Sequence, residues 1–140
     1  MTDTIRFFLP GPTYVREDVR AAMTQHPIGH RGPEFKALYG RVRPRLPEVF
    51  RTSNEVMLLT SSGSMAWDVA TTSLIEKDVL CLTNGAFSER FLGTCRAWGK
   101  EADQVSAPWG RPIDPDDVRQ ALRRKSYEAV TLAHNETSTG

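Results

Sequence analysis

From Glu55 onward, short apolar runs alternate with stretches of helical spacing. EVMLLT (Glu55–Thr60), DVLCLT (Asp78–Thr83) and AVTLA (Ala129–Ala133) predict strands, with a weaker one near ADQVSA (Ala102–Ala107). Between them MAWDVATTSLI (Met65–Ile75), SERFLGTCRAW (Ser88–Trp98) and DPDDVRQALRRK (Asp114–Lys125) predict helices. The last has Asp114 as a cap, Pro115 to open it and a basic final turn, all suited to the helix dipole. The strands are continuous apolar runs rather than strict alternators. Such strands are covered on both faces, which predicts a mostly parallel sheet flanked by helices, an α/β fold.

The first fifty residues read differently. FFLPGPTYVREDV (Phe7–Val19) predicts an extended, proline-punctuated arm, PIGHRGPEF (Pro27–Phe35) follows, and a helix starts near Pro33. Pro44 and Pro47 remove backbone bonds within that helical stretch and predict a kink or break. The chain therefore divides into an arm with the first helices at 1–50 and the first part of an α/β domain at 51–140.

Composition narrows the function. The 140 residues suffice for a domain with a real core, and no apolar stretch reaches membrane-spanning length. A formal net charge of +1 indicates neither a nucleic-acid nor an anionic-membrane surface. The arginines of GRVRPRL (Gly40–Leu46) and RRK (Arg123–Lys125) lack interleaved aromatics and read as solvated faces. Cys81 and Cys95 form no CxxC pair, so reduced thiols are expected rather than a metal site or a disulfide framework. The N-terminus has no charged-then-apolar leader, so a cytoplasmic location is expected.

In parallel sheets ligands gather where strands end and helices begin. Three such junctions carry unusual residues. In LLTSSGSMAWDVA, the Ser61–Ser64 turn around Gly63 precedes a helix whose free N–H groups and serine hydroxyls suit a phosphate, or form an ordinary N-cap. It is neither a nucleotide P-loop nor a dinucleotide fingerprint. In LTNGAFSERF, Asn84-Gly85 makes a tight turn and Phe87 follows, either lying against a planar ligand or packing beneath the loop. In AHNETSTG, His134, Glu136, Thr137, Ser138 and Thr139 stand at a strand tip, as a site or as a turn whose hydroxyls satisfy their own backbone. Earlier in the chain, His30 and Arg31 suit a carboxylate or a surface salt bridge.

In this order PGPT, IGHRGPEF, LLTSSGS, NGAFSER and HNETSTG resemble the N-terminal part of class V pyridoxal-phosphate-dependent aminotransferases, the alanine–glyoxylate and serine–pyruvate group. Each motif is weak alone; five in register are specific. The resemblance implies the type I fold of these enzymes: a large domain with a mostly parallel sheet, a C-terminal small domain and a homodimer. It implies pyridoxal 5'-phosphate as cofactor, with Ser62, Gly63 and Ser64 cupping its phosphate. Phe87 would stack on the ring, where close relatives carry Trp, and Thr137 would contact ring substituents. Gly11, Gly29 and His30 would line the substrate pocket, the latter two reaching across from the neighbouring subunit.

The family continues past HNETSTG to an Asp that pairs with the pyridine nitrogen and a Lys that forms the Schiff base. Lys36, Lys77, Lys100 and Lys125 do not follow strands in that manner, so no catalytic residue is assigned here. The chain is expected to be an N-terminal portion, cut before that lysine and the small domain, and inactive alone. The intact protein would transfer an amino group from alanine or serine to glyoxylate or a related 2-oxo acid. The alternatives are a catalytically inert fragment, or a lyase or desulfurase of the same fold. Desulfurases usually carry a stacking His where this chain has Phe87.

Overall fold

The computed structural model describes residues 10–140. They form two compact units: Tyr14–Thr60, and Ser61–Gly140 with the described part of Met1–Thr13. The arm reading ends sooner than its sequence suggested. Residues 7–9 lie outside the described residues, and Glu17–Met23 is a helix (α1) rather than extended chain. Glu17 and Asp18 in its first turn oppose the helix dipole, and Arg20 pairs with Glu17 at 3.3 Å, one turn away.

Helix α2 spans Pro33–Val42, with proline in its first turn as expected. The predicted break is present: a 3-10 turn at Arg43–Arg45 separates α2 from α3 (Leu46–Phe50). Pro44 and Pro47 each open a new segment, where their missing donors cost nothing. The expected strand at Glu55–Thr60 pairs with no strand among the described residues. Met57, Leu58 and Leu59 are all more than half exposed there. An apolar run becomes a strand only when a ladder partner satisfies its backbone, and this one meets none among the described residues.

The larger unit contains α4 (Met65–Leu74), β1 (Asp78–Thr83), α5 (Ala86–Ala97), β2 (Glu101–Ser106), α6 (Pro115–Arg124) and β3 (Ala129–Thr131). Its three strands form a wholly parallel sheet in the order β2-β1-β3. Register pairs Asp78 with Glu101 and Val79 with Ala129. The central strand carries the apolar run: Val79, Leu80, Cys81, Leu82 and Thr83 are all buried. Ile75, Val79, Cys81, Leu92 and Cys95 make the core between α5 and the sheet. Both cysteines are free and wholly enclosed, and burial raises the Cys81 thiol to about 11.

A second device ties the unit together at the opposite end. Glu128, just before β3, accepts backbone N–H groups of Glu76, Lys77 and Asp78 where α4 turns into β1. These bonds hold its carboxyl below the usual range. No helix among the described residues is long and apolar enough to cross a membrane.

Candidate functional site

Parallel strands place all their C-terminal ends on one edge, so the turns after Thr83, Ser106 and Thr131 meet there. The loop after β2 is fastened to the start of α5. Ala107 donates to the Thr83 carbonyl (2.9 Å), Gly110 to that of Asn84 (3.2 Å), and Asn84 Nδ2 to that of Arg111 (3.1 Å). Trp109 Nε1 reaches Glu89 Oε1 at 2.7 Å.

Helix α5 begins at Ala86, two residues before the predicted Ser88, and the reason lies in the last loop of the chain. Every α-helix opens with N–H groups that have no partner within it. Here the preceding residue is Gly85, which has no side chain to offer. The Ala86 N–H instead donates to Ser138 Oγ (3.0 Å), and Phe87 N–H to Glu136 Oε1 (3.1 Å). Ser88 N–H donates to Glu136 Oε2 at 3.0 Å, and Ser138 Oγ–H to Oε1 at 2.8 Å. The Ser88 hydroxyl lies within reach of both Oε2 (3.1 Å) and the Gly85 carbonyl (2.9 Å), with one proton to give.

Glu136 is buried, only 7% exposed. Burial alone would push its carboxyl up. The Ser88 N–H, Ser138 hydroxyl, Phe87 N–H and Ser88 hydroxyl together outweigh that and hold it down at about 2. The expected turn satisfying its own backbone is therefore only part of the arrangement. Thr139 does bond back to the Glu136 carbonyl (3.4 Å), but Glu136 and Ser138 serve a helix fifty residues earlier in the chain. The sequence held one signal for this: an α5 start, NGAFSER, with glycine where a capping side chain normally stands.

The residues singled out for the cofactor fall as follows. Phe87 sits in the first turn of α5, the residue 39% exposed and its ring edge-on to Trp67 of α4 (6.2 Å, 76°). Trp67 in turn stacks on Phe91 at 5.4 Å, with the Arg90 guanidinium 5.9 Å from its ring centre. Thr137 is exposed between Glu136 and Ser138, its hydroxyl making no bond among the described residues. Glu136 and Ser138, on either side of Thr137, thus bond the segment that carries Phe87.

Ser62, Gly63 and Ser64 form the turn into α4, three residues before Trp67, so their loop opens beside the same aromatic group. Ser64 does not cap the helix with its side chain. The carbonyls of Ser62, Gly63 and Ser64 accept from Met65, Ala66 and Trp67 (3.0–3.1 Å), while their own N–H groups meet no acceptor among the described residues. Space above Gly63 is open: a Cβ there would meet nothing within 4 Å.

Gly11 is exposed with open space about it. Gly29 and His30 belong to the Tyr14–Thr60 unit, in an exposed turn closed by Gly32 N–H to the Gly29 carbonyl (2.9 Å). Arg31 beside them is exposed and makes no ion pair among the described residues. A cleft of about 660 Å³ at the sheet edge is lined by Asn84, Arg111, His134, Asn135, Glu136 and Thr139, among others. None of the eight residues named for cofactor or substrate lines it.

The lysines of this unit stand at the opposite edge. Lys77, Lys100 and Lys125 precede β1, β2 and β3, the far side of a six-residue strand, roughly 16 Å long. Lys77 pairs with Glu101 (3.2 Å), Lys100 binds the Ile75 carbonyl (2.5 Å), and Lys125 pairs with Asp78 (2.6 Å) and Asp103 (3.1 Å).

No family model matches the chain. Over its whole length it is 37% identical to a Synechococcus sp. protein named soluble hydrogenase, small subunit, of which it spans 38%. It is 33% identical, again along all of its length, to L-aspartate–glyoxylate aminotransferase of Paracoccus denitrificans, spanning 37% of that protein. The solved structure of alanine–glyoxylate aminotransferase from Nostoc sp. matches with a TM-score of 0.79 at 30% identity, over 94% of this chain and 36% of that one. The chain spans little more than a third of the length of these relatives. In sequence and in fold it is similar to part of the class V aminotransferases of the alanine–glyoxylate and serine–glyoxylate kind, and the parallel, helix-flanked sheet described above is fold that it shares with them.

Proposed function

We propose that this chain is the N-terminal portion of a pyridoxal-phosphate-dependent aminotransferase that moves an amino group from alanine or serine to glyoxylate or a related 2-oxo acid. One observation carries the reading. Three helices open at the strands' C-terminal edge, and two have their N-termini satisfied by a carboxylate: α5 by Glu136 and α6 by Asp114, which accepts from Asp116 N–H at 2.8 Å. The third, α4, has no side-chain cap, and its approach carries the unspent N–H groups and hydroxyls of Ser62, Gly63 and Ser64. A helix start in that condition favours an external anion.

The residues present suit the cofactor. Ser62, Gly63 and Ser64 would hold its phosphate, Phe87 would offer its exposed ring to the pyridine, and Thr137 would hydrogen-bond a ring substituent. When bound, pyridoxal phosphate supplies the electron sink for the carbanion formed on the amino acid. The chain's own part is to bind, orient and shield. Gly11 and the Gly29–His30 turn are proposed to line the substrate pocket of a homodimer, the turn serving the neighbouring subunit. The division at residue 50 separates that arm from the first part of the cofactor domain. Two free, buried cysteines suit a reducing compartment, and we assign the protein to the cytoplasm.

A second reading, cofactor binding without turnover, is favoured by the lysines. The three in this unit are engaged at the edge remote from the candidate site, so the unit itself brings no amine to it. Both readings share one test. Pyridoxal phosphate is titrated into the chain and into Gly63→Glu, followed by tryptophan fluorescence. Because space above Gly63 is open, the variant keeps its fold while a carboxylate enters the phosphate space. Saturable quenching lost in Gly63→Glu is expected; equal binding by both would overturn the site.

A further inference from the structure

Phe87 and Thr137 lie on different segments, and nothing local fixes one against the other. Phe87 belongs to a helix whose first N–H groups receive no side-chain cap from the preceding residue, because that residue is Gly85. Thr137 belongs to a short turn closed by Thr139 and Gly140 N–H to the Glu136 carbonyl, both 3.1 Å. What joins them is one side chain. Glu136 accepts the Phe87 N–H on Oε1 and the Ser88 N–H on Oε2, and it is the residue immediately before Thr137. Ser138, immediately after Thr137, donates to Oε1 and accepts the Ala86 N–H.

The packing around this joint leaves no room for a side chain at position 85. A Cβ on Gly85 would collide with Glu136 Cγ, with Cδ at 2.5 Å and with Ser138 Oγ at 2.8 Å. The carboxylate is therefore pressed against bare backbone, a closeness that glycine alone permits. Both oxygens face donors: Phe87 N–H and the Ser138 hydroxyl on one side, Ser88 N–H and its hydroxyl on the other. A carboxamide cannot replace it, since its NH2 would face donors whichever way it turned.

We infer that Glu136 is a positioning residue: it locks the α5 start to the closing loop, so that the Phe87 ring and the Thr137 hydroxyl are held at a fixed separation across the candidate cofactor site, with Ser138 completing the lock. This rests on the cofactor reading above. Glu136 does not touch the ligand in this role. It sets the gap between two groups that do, and a binding site loses affinity when its walls must be ordered at the moment of binding.

The test combines two readouts on the whole 140-residue chain. Amide hydrogen exchange of residues 86–88 and of β1 is followed by NMR without ligand, and pyridoxal phosphate is titrated by tryptophan fluorescence. Glu136→Gln is expected to speed exchange at Phe87 and Ser88 and to weaken pyridoxal phosphate by about tenfold or more, with β1 still protected. Glu136→Ala should behave likewise, and formate should restore part of the affinity where chloride at equal ionic strength does not. A merely structural role would not give that rescue. Unchanged affinity, or unchanged exchange at Phe87 and Ser88, would overturn the inference. If protection is lost throughout β1, Ser138→Ala decides: it keeps the carboxylate, and a few-fold loss of affinity is expected where no loss would refute. Failure of the unaltered chain to bind pyridoxal phosphate would instead sink the cofactor reading, leaving exchange to judge the lock.

Discussion

Gly85→Ala isolates the contact on which the α5 start depends. The backbone there is extended, with φ 178° and ψ −178°, so alanine adopts it without strain. On conformational grounds alone the change should stabilise by about 0.4–1 kcal/mol, through a less free unfolded chain. Sterics reverse the sign. The new methyl would stand 2.5 Å from Glu136 Cδ and 2.8 Å from Ser138 Oγ. Relief requires the buried carboxylate to withdraw by about 1 Å, which breaks its bonds to Phe87 and Ser88. Losing a cap costs about 1 kcal/mol, losing hydrogen bonds to a charge about 1.5–3, and overpacking itself about 1–3. These overlap, since one displacement produces them all, and the net expectation is a loss of about 2–3 kcal/mol.

Urea unfolding followed by tryptophan fluorescence reads this directly, and a drop in midpoint of about 1 M is expected. Gly63→Ala is the internal control. Its Cβ meets nothing within 4 Å, so its stability should stay within about 0.5 kcal/mol of the parent. A cycle with Glu136→Ala sharpens the assignment: once the carboxylate is gone, Gly85→Ala should cost far less than it does alone. Equal midpoints for Gly85→Ala and Gly63→Ala, or strict additivity in the cycle, would refute the close-packed lock.

Two further expectations concern the same edge. Phe87→Ala should raise the pyridoxal phosphate dissociation constant about fivefold, the value of about 1 kcal/mol of stacking, while Phe87→Trp should retain it; an unchanged constant in Phe87→Ala would assign the ring to packing against Trp67. With its pKa lowered from 4.5 to about 2, Glu136 contributes stability that is complete above pH 4.5 and is lost as pH falls toward 2. Urea midpoints between pH 5 and 2.5 should accordingly fall more steeply in the parent than in Glu136→Gln, and parallel slopes would count against the ionised clamp.

Much of the α/β unit was legible in sequence because its signals are local. DVLCLT reads as a strand buried on both faces, and all of Val79–Thr83 is buried in the centre of a parallel sheet. The Asp114 cap sets the start of α6, and Pro44 and Pro47 divide the helical stretch before them. The misses share a different character. EVMLLT looks as strand-like as DVLCLT, yet pairing depends on another segment, which an apolar run cannot announce. The α5 start was set two residues late because its cap arrives from Glu136 and Ser138. The three polar junctions were visible at the site, and the resemblance supplied roles for Ser62–Ser64, Phe87 and Thr137. That the acid between them is buried, and faces a glycine 51 positions upstream rather than solvent, lies in packing and not in pattern.

Charge gives these pieces a common logic. Each helix N-terminus at the strands' C-terminal edge presents about half a positive charge, and each would welcome an anion. The chain fills two of the three with its own carboxylates, Glu136 at α5 and Asp114 at α6. A ligand phosphate approaching α5 would find the N–H groups already spent and a buried negative charge behind them, ionised at any pH above about 2. At α4 it would find unspent N–H groups and two serine hydroxyls, with the one acid of the first turn, Asp68, engaged by Trp98 Nε1 at 2.7 Å. Repulsion from one helix start and attraction to its neighbour act in the same direction. On the reading proposed above, Glu136 would do two things with one charge: it would join the walls of the site, and it would leave α4 as the helix start where a doubly charged phosphate is most favourably held.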